Sequence, residues 1–204
     1  MKTIGTTLAA VLFTLTTMAG GGEGEKNSLE VNVEKSKVFW TGKKITGEHT
    51  GTLLLTGGNV DVKDGIPIGA TINLDMTTIV VTDIEDSETN AKLTGHLNSP
   101  DFFSTEKFPE GTFTATSFKA IKGASGEEPN YTVKGNLTLK GKTDVVEFPA
   151  LISVKGDKLV ANGKITFDRT KWNIRYGSGS FFEGLGDNMI YDDVDLNFVL
   201  SANI

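Results

Sequence analysis

Three nine-residue stretches of this chain carry an apolar side chain at every second position, with mostly polar residues or glycine between. Ile68, Ala70, Ile72, Leu74 and Met76 are interleaved with Gly69, Thr71, Asn73 and Asp75. Val146, Phe148, Ala150, Ile152 and Val154 follow the same rule, as do Val194, Leu196, Phe198, Leu200 and Ala202. A period of two places successive side chains on opposite faces of a strand, so each stretch predicts one dry face and one wet face. At the usual rise such a strand extends about 30 Å. Strands of that length must turn their dry faces toward a shared interior. Either two sheets fill each other, or one sheet rolls into a barrel with an apolar lumen. The barrel supplies a site for a greasy ligand as a direct result of the fold.

The chain has 204 residues, enough for one large all-β domain and a leader. Its formal net charge is −6, and its few basic clusters are short. That argues against a nucleic-acid partner, because phosphate binding needs clustered Lys and Arg. There are no cysteines, which excludes disulfides, thiolate catalysis and Cys-based zinc sites. Phe outnumbers Tyr and Trp, at 12 against 3 and 2. Phe has no polar handle, so a Phe-rich interior stays apolar without buried hydrogen-bond partners. A Phe-packed core and a Phe-lined cavity both satisfy this composition.

Residues 1–19 are expected to be an export signal. Lys2 supplies a positive start, Ile4 to Leu15 a short apolar run, and Thr17-Met18-Ala19 a small-residue cleavage site. The run is too short and too Thr-rich for a transmembrane helix. Gly21 stands where a lipoprotein would carry its acylated Cys, so no covalent membrane anchor is expected. Residues 20–28 are Gly-rich and read as a flexible tether, with the folded domain at 29–204. The expected location is periplasmic or secreted, soluble after signal removal.

Further strand signals run through Leu29–Val33, Val38–Trp40, Phe113–Ala115, Tyr131–Leu139 and Ile165–Phe167. Thr52–Leu55 and Val60–Val62, separated by Gly57-Gly58, read as a hairpin. About eight to ten antiparallel strands joined mostly by hairpins are expected. Two segments break the alternation. Between Asp83 and Phe103, Leu93 and Leu97 fall four apart, as on a helix capped by Asp86 or Ser87 and weakened by Gly95. Ser99-Pro100-Asp101 restarts a helical turn. The second break, Thr170 to Asp187, is a Gly- and aromatic-rich loop of a length that is usually functional. Both segments are natural lids for a barrel mouth.

His96 and Asp101 form a candidate base and orienter, yet no nucleophile motif accompanies them. The alternative is that His96 fastens the helix to the barrel rim. His49 and His96 are the only histidines and lack metal-ligand spacing. No metal is expected. Asp168-Arg169-Thr170-Lys171-Trp172-Asn173-Ile174-Arg175 follows directly from a strand. Arg169 or Arg175 could orient a polar head group; equally, Arg169 could pair with a rim carboxylate while Trp172 packs beneath the loop. The acidic clusters at Asp83–Asp86 and Asp192-Asp193 lack calcium-loop spacing and read as solvated faces.

Together these segments resemble the YceI-like family, bacterial exported proteins with a lipocalin-like barrel that bind polyisoprenoid lipids. The resemblance runs from about Leu29 to Ile204. It is carried by Val38-Phe39-Trp40, His49-x-Gly51, His96-Leu97-x-Ser99-x-Asp101-Phe102-Phe103, Phe108-Pro109, Val133-x-Gly135-Asn136-Leu137-Thr138-Leu139-x-Gly141-x-Thr143, Asp168-Arg169-Thr170 and Leu185-Gly186-Asp187. Ser104 departs from the acidic residue that members often carry after the Phe pair, which affects a rim charge only. The Trp172–Gly179 segment looks like a subgroup variant. The resemblance implies an antiparallel eight-stranded lipocalin-like β-barrel with a short helix and a long loop at the mouth. It also implies an isoprenoid chain in the lumen, with its head group near that mouth, and no catalysis.

The expected function is therefore binding of an amphiphilic lipid, a polyisoprenoid or isoprenoid quinone-like molecule, for transport or storage. No other cofactor is expected, and a homodimer is compatible with the chain. Parity and the two loops nominate the ligand contacts. Phe113, Leu137, Phe148, Ile165, Phe167 and Phe198 should line the lumen, together with Trp40. Phe102, Phe103, Trp172, Phe181 and Phe182 should crowd its entrance, with Arg169 nearby. The rival readings are an enzyme modifying an isoprenoid lipid through His96 and Asp101, and a filled barrel acting as an interaction scaffold. A cavity, and the direction His96 faces, separate the three.

Overall fold

A computed structural model of the protein describes residues 26–204. The expected signal sequence and most of the expected tether lie outside the described residues. Nine strands form one antiparallel sheet: β1 (Lys26–Val31), β2 (Lys37–Lys44), β3 (Gly47–Lys63), β4 (Ile66–Val81), β5 (Glu110–Ala120), β6 (Tyr131–Leu139), β7 (Lys142–Lys155), β8 (Lys158–Asp168) and β9 (Ile190–Asn203). A single α-helix among the described residues, α1 (Ser87–Asn98), lies between β4 and β5.

The sheet closes because β9 pairs with β8 on one side and β2 on the other, while β3 pairs with both β2 and β4. The ring has eight positions, since β1 and β2 share one. β2 covers the first half of β3, from Gly47 to Leu53, and β1 covers the second, from Asn59 to Lys63. The buried Ser36 hydroxyl stitches the break between them, donating to the Asn32 carbonyl at 2.7 Å and accepting from the Ser201 N–H at 3.1 Å. Closure of this kind removes exposed sheet edges. Because β1 starts at Lys26, residues 26–28 belong to the barrel wall rather than to the tether.

Dry faces follow parity in β7 and β9, where Val146, Phe148, Ala150, Ile152, Leu196 and Ala202 are all buried. Within the Ile68–Met76 stretch of β4 the parity changes at one point. Ala70, Ile72, Leu74 and Met76 face the interior, but Ile68 is 46% exposed and Pro67 is buried in its stead. The register against β3 shifts between Asp61, opposite Gly69, and Val62, opposite Pro67. The extra residue is a β-bulge, and a bulge turns the side chains before it to the other face.

The expected hairpin at Gly57-Gly58 is also absent. β3 runs through both glycines, which take positive φ values of 148° and 141° at register shifts against β4. A Cβ on Gly58 would stand 2.1 Å from the Thr71 carbonyl oxygen. Gly58 admits a closely packed neighbouring strand, a Cβ on Gly57 would meet nothing within 4 Å, and neither turns the chain.

Helix α1 starts where expected, with the Asp86 carboxylate accepting the Thr89 N–H at 2.9 Å. Leu97 is its buried anchor. Ser99 ends α1 and opens hydrogen-bonded turns instead of a further helix, with Phe102 N–H donating to its carbonyl at 3.1 Å. The second break carries two short 3-10 turns, Arg169–Trp172 and Gly186–Asn188.

Candidate functional site

The inward faces enclose two apolar cavities that meet at Leu74 and Leu196, which line both. The distal cavity, of about 100 Å³, is walled by residues including Phe113, Leu137, Phe148, Ile165 and Phe198. Its rings pack against one another, Phe148 lying 5.6 Å from Phe113 and 5.7 Å from Phe198. The proximal cavity, of about 80 Å³, lies under α1 and the long loop and includes Trp40, Met76, Leu97, Phe102, Phe103, Phe167, Arg169 and Ile174 in its wall. Ligand pockets commonly measure about 300 Å³ or more. Both voids are smaller than that, and they adjoin at Leu74 and Leu196.

The distal cavity has the looser wall. β4 and β5 pair only as far as Ala70 and Ala115. Beyond that, β4 continues with β3 alone and β5 with β6 alone, each past an irregularity in its register. Ala70, Ile72, Phe113, Phe118, Phe198 and Leu200 in the same wall are only partly buried.

The proximal end is closed by a plug. Trp172 and Ile174 are fully buried, and Trp172 stacks edge-on against Phe167 at 5.1 Å while its Nε1–H donates to the Leu137 carbonyl at 3.0 Å. Arg169 is 2% exposed. It donates to the carbonyls of Ile174 at 2.8 Å, Tyr191 at 3.1 Å and Ile190 at 3.2 Å, and to the Asp192 carboxylate at 3.3 Å. Burial pulls its pKa below the ordinary value, opposed by Asp192 and Asp168. The guanidinium ties the start of the loop to its end, which leaves little of it for a head group. Arg175 sits outside, 4.3 Å above the Phe181 ring.

His96 lies outside the walls of both cavities. Its Nε2 is 3.4 Å from the Asp101 carboxylate, and its ring meets Phe102 and Tyr176 edge-on at 4.9 and 4.4 Å. It fastens α1 to both loops. Lys140 links the two loops, donating to the Pro100 carbonyl at 2.7 Å and the Asn173 carbonyl at 3.4 Å. His49 bonds Asp83 at 2.9 Å on the rim. Partial burial pushes the Asp83 carboxyl up, but the Thr50 N–H and His49 outweigh this and hold it below its ordinary value. Among the described residues, no group of three or more His, Cys, Asp or Glu is placed to hold a metal.

Of the nominated contacts, Phe113, Leu137, Phe148, Ile165 and Phe198 lie in the distal wall, and Trp40, Phe102, Phe103, Phe167 and Arg169 in the proximal wall. Trp172, Phe181 and Phe182 line neither; Trp172 is inside the plug, and the two Phe rings are about half exposed at 46% and 51%. Reading by parity missed Phe118 and Val133, which also face the distal cavity. The dyad spacing of Tyr131, Val133, Gly135 and Leu137 held that signal for Val133.

A closed antiparallel barrel with an apolar lumen, plugged at one end by an arginine-anchored loop, defines a class of small lipocalin-like barrels. The model of the YceI-like domain matches residues 29–202, and the chain belongs to that family. Protein YceI of Salmonella newport is 29% identical over 160 residues, 76% of this chain and 73% of the relative. UPF0312 protein YE1254 of Yersinia enterocolitica is 40% identical over 79 residues, a segment spanning only 38% of either protein. Two solved structures share the fold. A polyisoprenoid binding domain from Saccharophagus degradans gives a TM-score of 0.62 at 15% identity, covering 86% of this chain and 97% of the other. BcnA of Burkholderia cenocepacia gives 0.59 at 22% identity, covering 85% and 99%.

Proposed function

We propose that the protein binds a slim amphiphile with a polyisoprenoid-type chain inside the barrel and serves its transport or storage outside the cytoplasm. The observation that carries this is the pair of adjoining apolar cavities within one closed sheet. Each buried methylene contributes about 0.8 kcal/mol, so an apolar tunnel suffices for binding without any charged contact. The Saccharophagus relative in fold is described as a polyisoprenoid binding domain, which supports the same ligand class. The position of His96, outside both cavities, supports binding over chemistry.

The test is organic extraction of the protein purified from its native host, with mass spectrometry of what is released. An isoprenoid lipid in stoichiometric amount is the expected result, and an extract without lipid would overturn the proposal. Binding assays add a second arm. Phe102→Ala with Phe103→Ala should weaken lipid binding more than His96→Ala does. Turnover of a lipid that His96→Ala abolishes, with binding intact, would replace the carrier by an enzyme. N-terminal sequencing of the periplasmic fraction tests export, with a start near Gly20 expected.

A further inference from the structure

Two seams interrupt the barrel wall, and the chain fills one of them. β7 and β8 pair from Lys155 and Lys158 as far as Ala150 and Gly163. Beyond that β7 follows β6 and β8 follows β9. The plug occupies this seam: the Arg169–Trp172 turn packs against β7, while Trp172 stacks on Phe167 of β8 and donates its indole N–H to Leu137 of β6. The second seam lies between β4 and β5, past Ala70 and Ala115. There the Ile66–Gly69 and Thr116–Ala120 segments share no backbone hydrogen bond.

This second seam leads into the distal cavity. Pro67 and Ala70 from β4 and Phe118 from β5 all line that cavity, and Ala70 and Phe118 are only partly buried. Pro67 has no N–H to offer a neighbouring strand. Ile66 and Ile68, on the same β4 segment, are 53% and 46% exposed, so the lip of the seam is apolar on its outer side as well.

What each route must break separates the ways in. Parting other strands at this end breaks ladders that run up to the turns, at Lys63 and Ile66, at Ala120 and Tyr131, and at Lys155 and Lys158. Entry past the plug takes Arg169 from three carbonyls and Asp192, and a buried charge left without partners is strongly destabilising. At the β4–β5 seam the Phe118 ring has only to change rotamer, a fast motion for a partly exposed side chain. The cavity also places the polar end of a ligand. Every residue lining it is Val, Leu, Ile, Pro, Ala or Phe, so a polar group drawn inside would lose its water without gaining a partner. At the seam it keeps its water and meets the unpaired backbone of the two lips.

We propose that the isoprenoid chain enters sideways through the β4–β5 seam and that its polar end stays there in solvent, so that the barrel sets no limit on the size of the head group. This rests on the lipid-binding reading above. It moves the head group away from α1 and the long loop, to the other end of the barrel.

A geranylgeranyl chain carrying a nitroxide at its polar end tests this on the wild-type protein. The bound probe should broaden the amide resonances of residues 66–69 and 116–120 and spare those of α1 and residues 173–189. Uptake kinetics give a second arm. The chain has no Cys, so Ile68→Cys and Gly95→Cys each create one site for a polyethylene glycol maleimide. Modification at position 68 should slow uptake of the probe about tenfold. The same modification at position 95, exposed on α1, should leave it unchanged. Broadening centred on α1 or on residues 173–189, or slowing at position 95 that equals or exceeds that at position 68, would each overturn the proposal. Failure of the probe to bind wild-type protein at all would instead remove the lipid-binding reading itself.

Discussion

At Gly51 the backbone of β4 comes closer than a side chain allows. A Cβ there would stand 1.8 Å from the Val80 carbonyl oxygen as well as against the Trp40 ring. Gly51→Ala is expected to cost about 3 kcal/mol, the upper end of overpacking, seen as a lower urea midpoint. Gly42, on the neighbouring strand, has nothing within 4 Å of the same position, so Gly42→Ala should leave the midpoint near wild type. Asp195 shows a different dependence. Its buried carboxylate accepts from the Thr166 hydroxyl at 2.7 Å, Lys164 at 3.0 Å and Lys43 at 3.1 Å. Burial pushes this carboxyl up, but Thr166, Lys164 and Lys43 outweigh it and leave it below the ordinary 3.8. A depressed folded-state pKa contributes stability above the unfolded value, and that stability is lost as pH falls through the folded one. Asp195→Asn should therefore flatten the acid limb of the stability–pH curve below about pH 4, measured by urea titration across that range.

The two segments that interrupt the strand pattern behave differently as elements. The loop after β8 is held by one buried guanidinium, so its order depends on Arg169. Arg169→Met strands three carbonyls and Asp192, and should cost about 3–5 kcal/mol. Protease cleavage between residues 173 and 189 should rise in parallel, and Arg169→Lys should recover only part of the loss because an ammonium cannot span the same acceptors. Helix α1 has slack instead. Gly95 sits in its interior, and a methyl group added there would meet nothing within 4 Å. Gly95→Ala should raise stability by about 0.5–1 kcal/mol, visible as slower amide exchange in α1.

For the whole molecule, the waist between the cavities is the controlling feature. Leu74 and Leu196 touch both voids, so a chain that fills one must pass between them to reach the other. Leu74→Ala should lower stability by about 2–5 kcal/mol, the usual range for such a truncation. It should also join the cavities and move the affinity optimum to longer chains. Binding constants for isoprenoid ketones of increasing length, measured on both proteins, check this; an unchanged optimum would show that the voids are used separately.

Strand faces were legible because the pleat is a local property: Phe148 and Leu196 point inward whatever the rest of the chain does. Phe113, Leu137, Phe148 and Phe198 could accordingly be placed on the dry faces that wall the distal cavity. Ile68 and Gly57-Gly58 escaped the same rule because a bulge or a close approach is set by the neighbouring strand, which alternation does not encode. Phe181 and Phe182 looked like entrance rings by composition, yet their loop, clasped by Arg169, leaves them outside the walls of both cavities. Whether a buried donor has a partner depends on atoms far apart in the chain. The Trp172 indole finds a carbonyl on β6 and the Trp40 indole finds none, a difference only the closed barrel could decide.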